Sequence, residues 1–222
     1  MSTNYRLFSK KAPPFRMHMD HNDIHNEFAK ALTFYINNQL DSPLVIVCIG
    51  TDRSTGDSLG PLIGSKLESF NLKNFYIYGT LQDPIHAVNM HEKIQRIEQL
   101  HDRAFIIAID ACLGKMKSVG DITLAHGPVT PGAAVKKDLP PIGDIHITGI
   151  VNIGGMMEYF VLQNTRLYMV MTMADVIATS IQQVDQQLSE SPELESTFET
   201  TLKKRRNLSS AFSFMNTEKF KL

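Results

Sequence analysis

Two aspartates and one histidine, widely separated in the sequence, are the residues best suited to chemistry. Asp57 lies in the loop after the apolar run LVIVCI (residues 44–49), and Asp110 directly follows a second run, AFIIAI (residues 104–109). His146 closes a long proline-containing segment, residues 127–145. Two carboxylates can share a proton and activate water, and two carboxylates with an imidazole can hold a divalent metal ion with open positions. Either arrangement of Asp57 and Asp110, with or without His146, predicts hydrolysis.

Each of these residues also has a simpler interpretation. Asp57 precedes a predicted helix and could only cap it, since aspartate accepts hydrogen bonds from first-turn N–H groups. Gly50 and Gly56 suggest a phosphate loop, but the Lys and Ser or Thr that such a loop needs are absent after Gly56. His146 could be a locally hydrogen-bonded residue. Cys112 could be a nucleophile with His146 as its base, or a small packed hydrophobic residue.

The elements that must position these residues alternate between strand and helix. Apolar and β-branched runs predict strands, and apolar residues at helical spacing predict helices. The predicted strands are residues 44–49, 75–78, 104–109, 121–125 and 166–171. The predicted helices are residues 22–39, 148–161, one from Ser58, one from Asp83, and a last one through residues 177–188. This alternation predicts a three-layer α/β/α sandwich with a mostly parallel, mixed sheet. Ligands gather outside the carboxyl ends of such strands, where Asp57 and Asp110 lie.

Length and composition predict the setting of this domain. The chain has 222 residues, two cysteines and a net charge of −1. We expect a flexible N-terminal arm over residues 1–21, a single α/β domain over residues 22–190, and a C-terminal extension over residues 191–222 with a short helix near residues 197–205. Neither a nucleic-acid nor a membrane partner is expected, because basic residues are dispersed and no apolar run could span a bilayer. The two cysteines, Cys48 within a predicted strand and Cys112 just beyond another, predict a reducing, cytoplasmic environment.

Three segments resemble known families. GTDRSTGDSLGP (residues 50–61) resembles a loop of the germination protease of endospore formers, which has an aspartate in a TPDALGP-like context. IIAIDA (residues 106–111) resembles the end of the strand that carries the second catalytic residue of that protease. PGAAV (residues 131–135) is similar to its PGSGV loop. The same acidic positions are similar to those of hydrogenase maturation endopeptidases, where a glutamate replaces the residue matching Asp57 and a histidine matches His146. Residues 40–185 as a whole resemble the YyaC family of proposed sporulation proteins.

The resemblance implies a phosphorylase/hydrolase-like fold and an atypical aspartic endopeptidase. Its catalytic residues would be Asp57 and Asp110, with a divalent metal at Asp57, Asp110 and His146 as the other possibility and no further cofactor. The implied substrates are proteins, including small spore proteins, cleaved during sporulation or germination in the forespore or spore core by a chain that can form a homo-oligomer. The alternative is a catalytically silent, protease-like scaffold or regulator in sporulation.

Overall fold

The computed structural model describes residues 13–131 and 140–190, and the strands of these residues form one mixed sheet of six. Their order across the sheet is β1-β5-β6-β4-β2-β3. The neighbouring pairs β3–β2, β2–β4 and β4–β6 are parallel, whereas β5 runs antiparallel to both β6 and β1. The strands are β1 (Phe15–His18), β2 (Leu44–Cys48), β3 (Phe75–Tyr78), β4 (Phe105–Gly114), β5 (Asp121–His126) and β6 (Ile145–Ile153).

Helices pack on both faces of this sheet. The helices are α1 (Ile24–Ile36), α2 (Leu59–Ser69), α3 (Met90–Leu100), α4 (Glu158–Gln163) and α5 (Leu167–Glu190). Helices α1, α2 and α5 bury apolar stripes in the larger core on one face, and α3 contributes Met90 and Ile97 to a smaller core on the other. The predicted α/β sandwich with a mostly parallel, mixed sheet is therefore confirmed.

The two apolar runs form neighbouring interior strands, β2 and β4, and both faces of these strands are covered. Every residue of β2 is buried, and its side chains alternate between the two cores. In β5 and β6 the side chains facing the larger core are buried, whereas the alternate ones on the opposite face are mostly half-buried. Two-residue periodicity of this kind is expected where a strand has one fully covered face.

Most of the predicted strands are confirmed, with small differences at their ends. The runs at residues 44–49, 75–78 and 121–125 form β2, β3 and β5, and the helix predicted over residues 22–39 is α1 followed by a short 3-10 turn. The run at residues 104–109 forms only the first part of β4, which continues to Gly114. The continuation follows from pairing with β6, which extends beyond the end of β2.

The helix predicted over residues 148–161 is wrong, because most of its first half is the strand β6 and a short helix, α4, begins only at Glu158. The residues Ile150, Ile153, Met157 and Phe160 fall at helical spacing by coincidence. Burial alternates along residues 145–148, as expected for a strand: Ile145 and Ile147 are buried, whereas His146 and Thr148 are half-buried.

Two other predicted boundaries are also wrong. The strand predicted over residues 166–171 belongs to α5, a single 24-residue helix whose buried positions recur every three or four residues. The helix predicted to start at Asp83 starts at Met90. Its expected first turn is instead an extended loop in which Ile85 pairs with Ile49 beyond the end of β2.

The predicted N-terminal arm is wrong for Phe15–His18, which form the edge strand β1. Phe15 also packs its ring edge-on against Phe28 of α1, at 5.6 Å between ring centroids. The rest of the predicted arm up to residue 12, the PGAAV segment beyond Pro131, and the C-terminal extension lie outside the described residues. Among the described helices, none combines the length and apolar character needed to cross a membrane.

Candidate functional site

Asp57 and Asp110 follow two strands that flank the point where the topology of the sheet changes direction. From β2 the chain passes through α2 on one face to β3, and from β3 it returns through α3 on the other face to β4, on the opposite side of β2. The carboxyl ends of β2 and β4 therefore flank a topological switch point, the usual location of ligand sites in open α/β sheets.

At this point β2 stops pairing with β4. The last backbone bond between them runs from the Ile49 N–H to the Ile109 carbonyl, at 2.7 Å. The next residue, Gly50, donates instead to the Ile85 carbonyl, at 2.8 Å. Asp110 is the next residue of β4 after Ile109. It therefore lies just beyond the part of β4 that pairs with β2.

Asp110 is inside a strand rather than past its end, which corrects the sequence-based placement. It pairs with Thr148 of β6, and its side chain is half-buried. The hydrogen bond that it accepts from the Ala111 N–H, at 2.9 Å, lowers the pKa of the carboxyl by less than burial raises it. Burial and the nearby charge of Asp57 raise the pKa of Asp110 to about 8. Asp110 is therefore mostly protonated at neutral pH.

Asp57 belongs to a 3-10 turn (Gly56–Ser58) that leads into α2. The turn is held against the end of β2 by a hydrogen bond from the Thr51 N–H to the Asp57 carbonyl, at 3.1 Å. Gly50 permits this close approach, since a Cβ there would lie 2.0 Å from the Asp57 carbonyl oxygen. The sequence thus fixes the backbone of Asp57 through a glycine seven residues earlier.

The Asp57 carboxylate does not act as a helix cap. No side-chain capping bond is formed at the start of the 3-10 turn or of α2. Burial raises the pKa of Asp57, and no hydrogen bond from the described residues offsets that effect. Burying a carboxylate that has no hydrogen-bond donor is costly unless the carboxyl is protonated or has a partner. The charge of Asp57 affects the pKa of Asp110.

The two acids therefore form an electrostatically coupled pair with different environments. Asp110 carries the more strongly raised pKa, and Asp57 is the member whose charge contributes to that rise. Adjacent carboxyls whose pKa values are driven apart can act as one proton donor and one proton acceptor. The prediction that Asp57 and Asp110 lie in a shared crevice is consistent with this coupling.

His146 does not join the pair. It lies in β6 opposite Ala108, two residues before Asp110 or about 7 Å along the strand. Its Nδ1 is hydrogen-bonded with the Gly127 carbonyl, at 2.9 Å. Within residues 13–131 and 140–190, no three His, Cys, Asp or Glu side chains are arranged to hold a metal ion. The described residues therefore do not assemble the predicted metal site of Asp57, Asp110 and His146.

Cys112 lies on the same face of β4 as Asp110 but lacks the environment of a nucleophile. Burial, together with the charge of Asp110, raises the pKa of the thiol to about 11, although a hydrogen bond with Thr148 opposes this. Cys112 pairs with Ile150, which lies four residues along β6 from His146. Four residues of strand span about 13 Å, so Cys112 and His146 are far apart along the sheet. The thiol stays protonated at neutral pH, and His146, its candidate base, lies too far away along the sheet.

Comparison with known proteins supplies the family. A family model described as "Protein of unknown function (DUF1256)" matches residues 16–180. The chain belongs to this family. It is similar to the uncharacterized protein YyaC of Bacillus subtilis (strain 168), at 62% identity over 143 residues that cover 64% of this chain and 70% of that protein. The sequence-based assignment to the YyaC family is therefore confirmed.

A solved structure also resembles the fold. It is the crystal structure of a NiFe hydrogenase maturation protease, HycI, from Thermococcus kodakarensis KOD1. The TM-score is 0.48 and the sequence identity 16%, over 70% of this chain and 99% of that chain.

Two features beside the acid pair were missed by sequence reasoning. Thr148 lies opposite Asp110, and the alternation of residues 145–148 could have placed it there once β6 was known to neighbour β4. The second feature is α4, which packs on the turn that carries Asp57. A Cβ at Gly56 would lie 2.7 Å from Leu162 Cδ2 and 3.0 Å from Thr165 Oγ1. No local pattern in the sequence indicates that contact.

Proposed function

We propose that this protein is an endopeptidase in which Asp57 and Asp110 activate a water molecule. The observation that carries the proposal is the coupled acid pair at the switch point, in which the charge of Asp57 helps to raise the pKa of Asp110 to about 8. At neutral pH Asp110 then holds a proton, and in this proposal Asp57 is the ionised partner. In that state two aspartates can activate a water molecule for attack on an amide carbonyl.

The chemistry assigns a separate task to each acid. The Asp57 carboxylate takes a proton from water as the water oxygen bonds to the substrate carbonyl carbon. The protonated Asp110 donates its hydrogen to the carbonyl oxygen, which gives a neutral tetrahedral intermediate. The intermediate collapses when the proton held by Asp57 moves to the amide nitrogen and the C–N bond breaks, while Asp110 recovers its proton from the hydroxyl.

The biological setting forms part of the proposal. Small spore proteins as substrates, and action during sporulation or germination, rest on the sequence resemblance of residues 50–61 and 106–111 to the germination protease. Polypeptide substrates suit a site at the carboxyl ends of β2 and β4, because an extended chain can lie across the ends of these strands.

Cleavage of an unfolded protein by matched variants tests the proposal. Reduced β-casein and a small acidic spore protein would be incubated with the wild-type chain and with Asp57→Asn and Asp110→Asn, and new amino termini would be counted. Each substitution should lower cleavage at least about 100-fold, the usual contribution of a positioned acid or base. Asp102→Asn is the control, since that side chain is 88% exposed on the surface. Undiminished cleavage by the double Asn variant would refute the proposal and favour a silent scaffold.

A further inference from the structure

Thr148 places a hydroxyl group beside Asp110, on the neighbouring strand. The two residues are direct partners in the parallel pairing of β4 and β6. The residues just before them, Ile109 and Ile147, are buried in the larger core. Since successive side chains of a strand point to opposite faces, Asp110 and Thr148 share the other face of the sheet. The two acids account for the proton transfers of the proposed mechanism, which leaves this hydroxyl without a task.

The Thr148 side chain lies where a molecule that contacts Asp110 can also reach it. Both residues are half-buried, whereas Ile147 and Gly149, on either side of Thr148, are buried. A half-buried hydroxyl in this place is partly shielded from water, and a hydrogen bond that it makes to a bound molecule is stronger for that reason.

The partner of the Thr148 hydroxyl within the protein is a weak one. It is the thiol of Cys112, two residues after Asp110 on the same face of β4. A thiol is a weak hydrogen-bond donor and its sulfur a weak acceptor. The Asp110 carboxyl accepts instead from the Ala111 N–H, at 2.9 Å. The Thr148 hydroxyl can therefore turn from the thiol to a stronger acceptor at small cost.

The spacing of the two strands suits an oxygen atom held between the two side chains. The backbones of neighbouring strands lie about 4.8 Å apart. An oxygen that accepts hydrogen bonds of about 2.7 Å from two hydroxyl groups can bridge donors that are up to about 5.4 Å apart. In the proposed mechanism the substrate carbonyl oxygen receives the hydrogen of the protonated Asp110, so it is the atom that Thr148 can also reach.

We infer that the Thr148 hydroxyl donates a hydrogen bond to the substrate carbonyl oxygen, beside the protonated Asp110. This inference rests on the proposed peptidase function and adds a third group to it. Negative charge builds on that oxygen as water attacks the carbonyl carbon, so the hydrogen bond is stronger in the transition state than in the bound substrate. Thr148 keeps its proton throughout, and the hydrogen that moves to the oxygen comes from Asp110.

Three substitutions separate this role from a structural one. Thr148→Val removes the hydroxyl and keeps a similar shape, whereas Thr148→Ser keeps the hydroxyl. Thr123→Val is the matched control, because Thr123 is half-buried, shares the face, and pairs with Thr148 one strand further from Asp110. Urea unfolding followed by circular dichroism would verify that each variant is folded.

Cleavage of reduced β-casein and of a small acidic spore protein would be measured at steady state from pH 5 to pH 8. Thr148→Val should lower kcat about 100-fold, the usual effect of removing one donor to such an oxygen. KM should stay within about threefold, because the bond forms mainly in the transition state. Thr148→Ser should restore kcat to within about tenfold of wild type, and Thr123→Val should stay within about twofold.

The pH dependence of cleavage shows which group the hydroxyl acts on. A donor to the substrate changes kcat by the same factor at every pH, because a threonine hydroxyl does not titrate in this range. An apparent pKa of cleavage that moves by about 1 or more in Thr148→Val would place the hydroxyl on Asp110 and overturn the inference.

The outcomes for the inference and for the proposed function differ. Cleavage that is lost in Asp57→Asn and Asp110→Asn but unchanged in Thr148→Val would refute the inference and leave the peptidase intact. An equal loss in Thr148→Val and Thr123→Val would show a structural role and would also refute the inference. If the wild-type chain cleaves neither protein, the peptidase proposal and the inference both fail.

Discussion

Replacing Asp110 with asparagine should stabilise the protein, and the effect should grow with pH. Folding raises the pKa of this carboxyl from 3.8 to about 8. Above pH 3.8 the unfolded chain releases the proton more readily than the folded chain does, so ionisation favours unfolding. The stability associated with the protonated group is complete below pH 3.8 and is lost as the pH rises to about 8.

The size of the effect follows from the same two values. The difference is about four pH units, and each unit corresponds to about 1.36 kcal/mol. Wild-type protein should therefore lose on the order of 5 kcal/mol between pH 4 and pH 8 through this group, and on the order of 4 kcal/mol by pH 7. Asparagine is neutral throughout and retains the oxygen that accepts the Ala111 N–H.

Urea unfolding followed by circular dichroism at pH 4, 5, 6, 7 and 8 would measure the difference. The free energy of unfolding of Asp110→Asn minus that of wild type should be near zero at pH 4 and should increase by at least about 2 kcal/mol by pH 8. Asp102→Asn, at a side chain that is 88% exposed, should differ from wild type by under about 0.5 kcal/mol at every pH. A difference for Asp110→Asn that does not change with pH would refute the assignment of a raised pKa.

Three further substitutions test how the site is built. Gly50→Ala would place a Cβ 2.0 Å from the Asp57 carbonyl oxygen, so thermal unfolding should show a loss of about 2 kcal/mol or more together with weaker cleavage, whereas Gly127→Ala, with φ of 92° and no atom within 4 Å, should cost only about 1 kcal/mol. Asp185→Ala removes the acceptor of two backbone N–H groups just before β3, at 2.8 to 3.1 Å, and should cost about 2 to 3 kcal/mol in urea unfolding; a loss under 0.5 kcal/mol would contradict the structure. Cys112→Ala should keep cleavage within about threefold of wild type, because a thiol with a pKa of about 11 is protonated at neutral pH; abolished cleavage would restore the cysteine as a candidate nucleophile.

The centre of the fold could be predicted from sequence because it depends on local composition. A strand covered on both faces has no alternative to a continuous apolar run, and β2 and the first part of β4 have that composition. Asp57 and Asp110 are selected from the sequence for the same reason, because both come after such a run and parallel strands bring their carboxyl ends together. Their catalytic role stays a prediction. The coupling between them depends on which strands are neighbours, and the structure supplies that information.

The surroundings of the acids could not be predicted because they depend on pairing and exposure. The pairing of β6 with β4 makes the segment around Ile150 a strand, and the local sequence does not encode that pairing. The helical spacing of Ile150, Ile153, Met157 and Phe160 therefore does not correspond to one helix face. A helix over residues 148–161 would bury one apolar stripe, whereas Met157 and Phe160 are exposed. His146, which comes just before that predicted helix, lies instead within β6, the third of the six strands across the sheet.

The most direct test of the account is an NMR titration of the aspartate carboxyl carbons in protein labelled with ¹³C at those positions. The account predicts one carboxyl, assigned to Asp110 by its loss in Asp110→Asn, with a pKa of about 8 that falls in Asp57→Asn because a neighbouring charge has been removed. If both carboxyls titrate near pH 4 and neither responds to substitution of the other, Asp57 and Asp110 do not form a pair and the proposed hydrolytic mechanism is wrong.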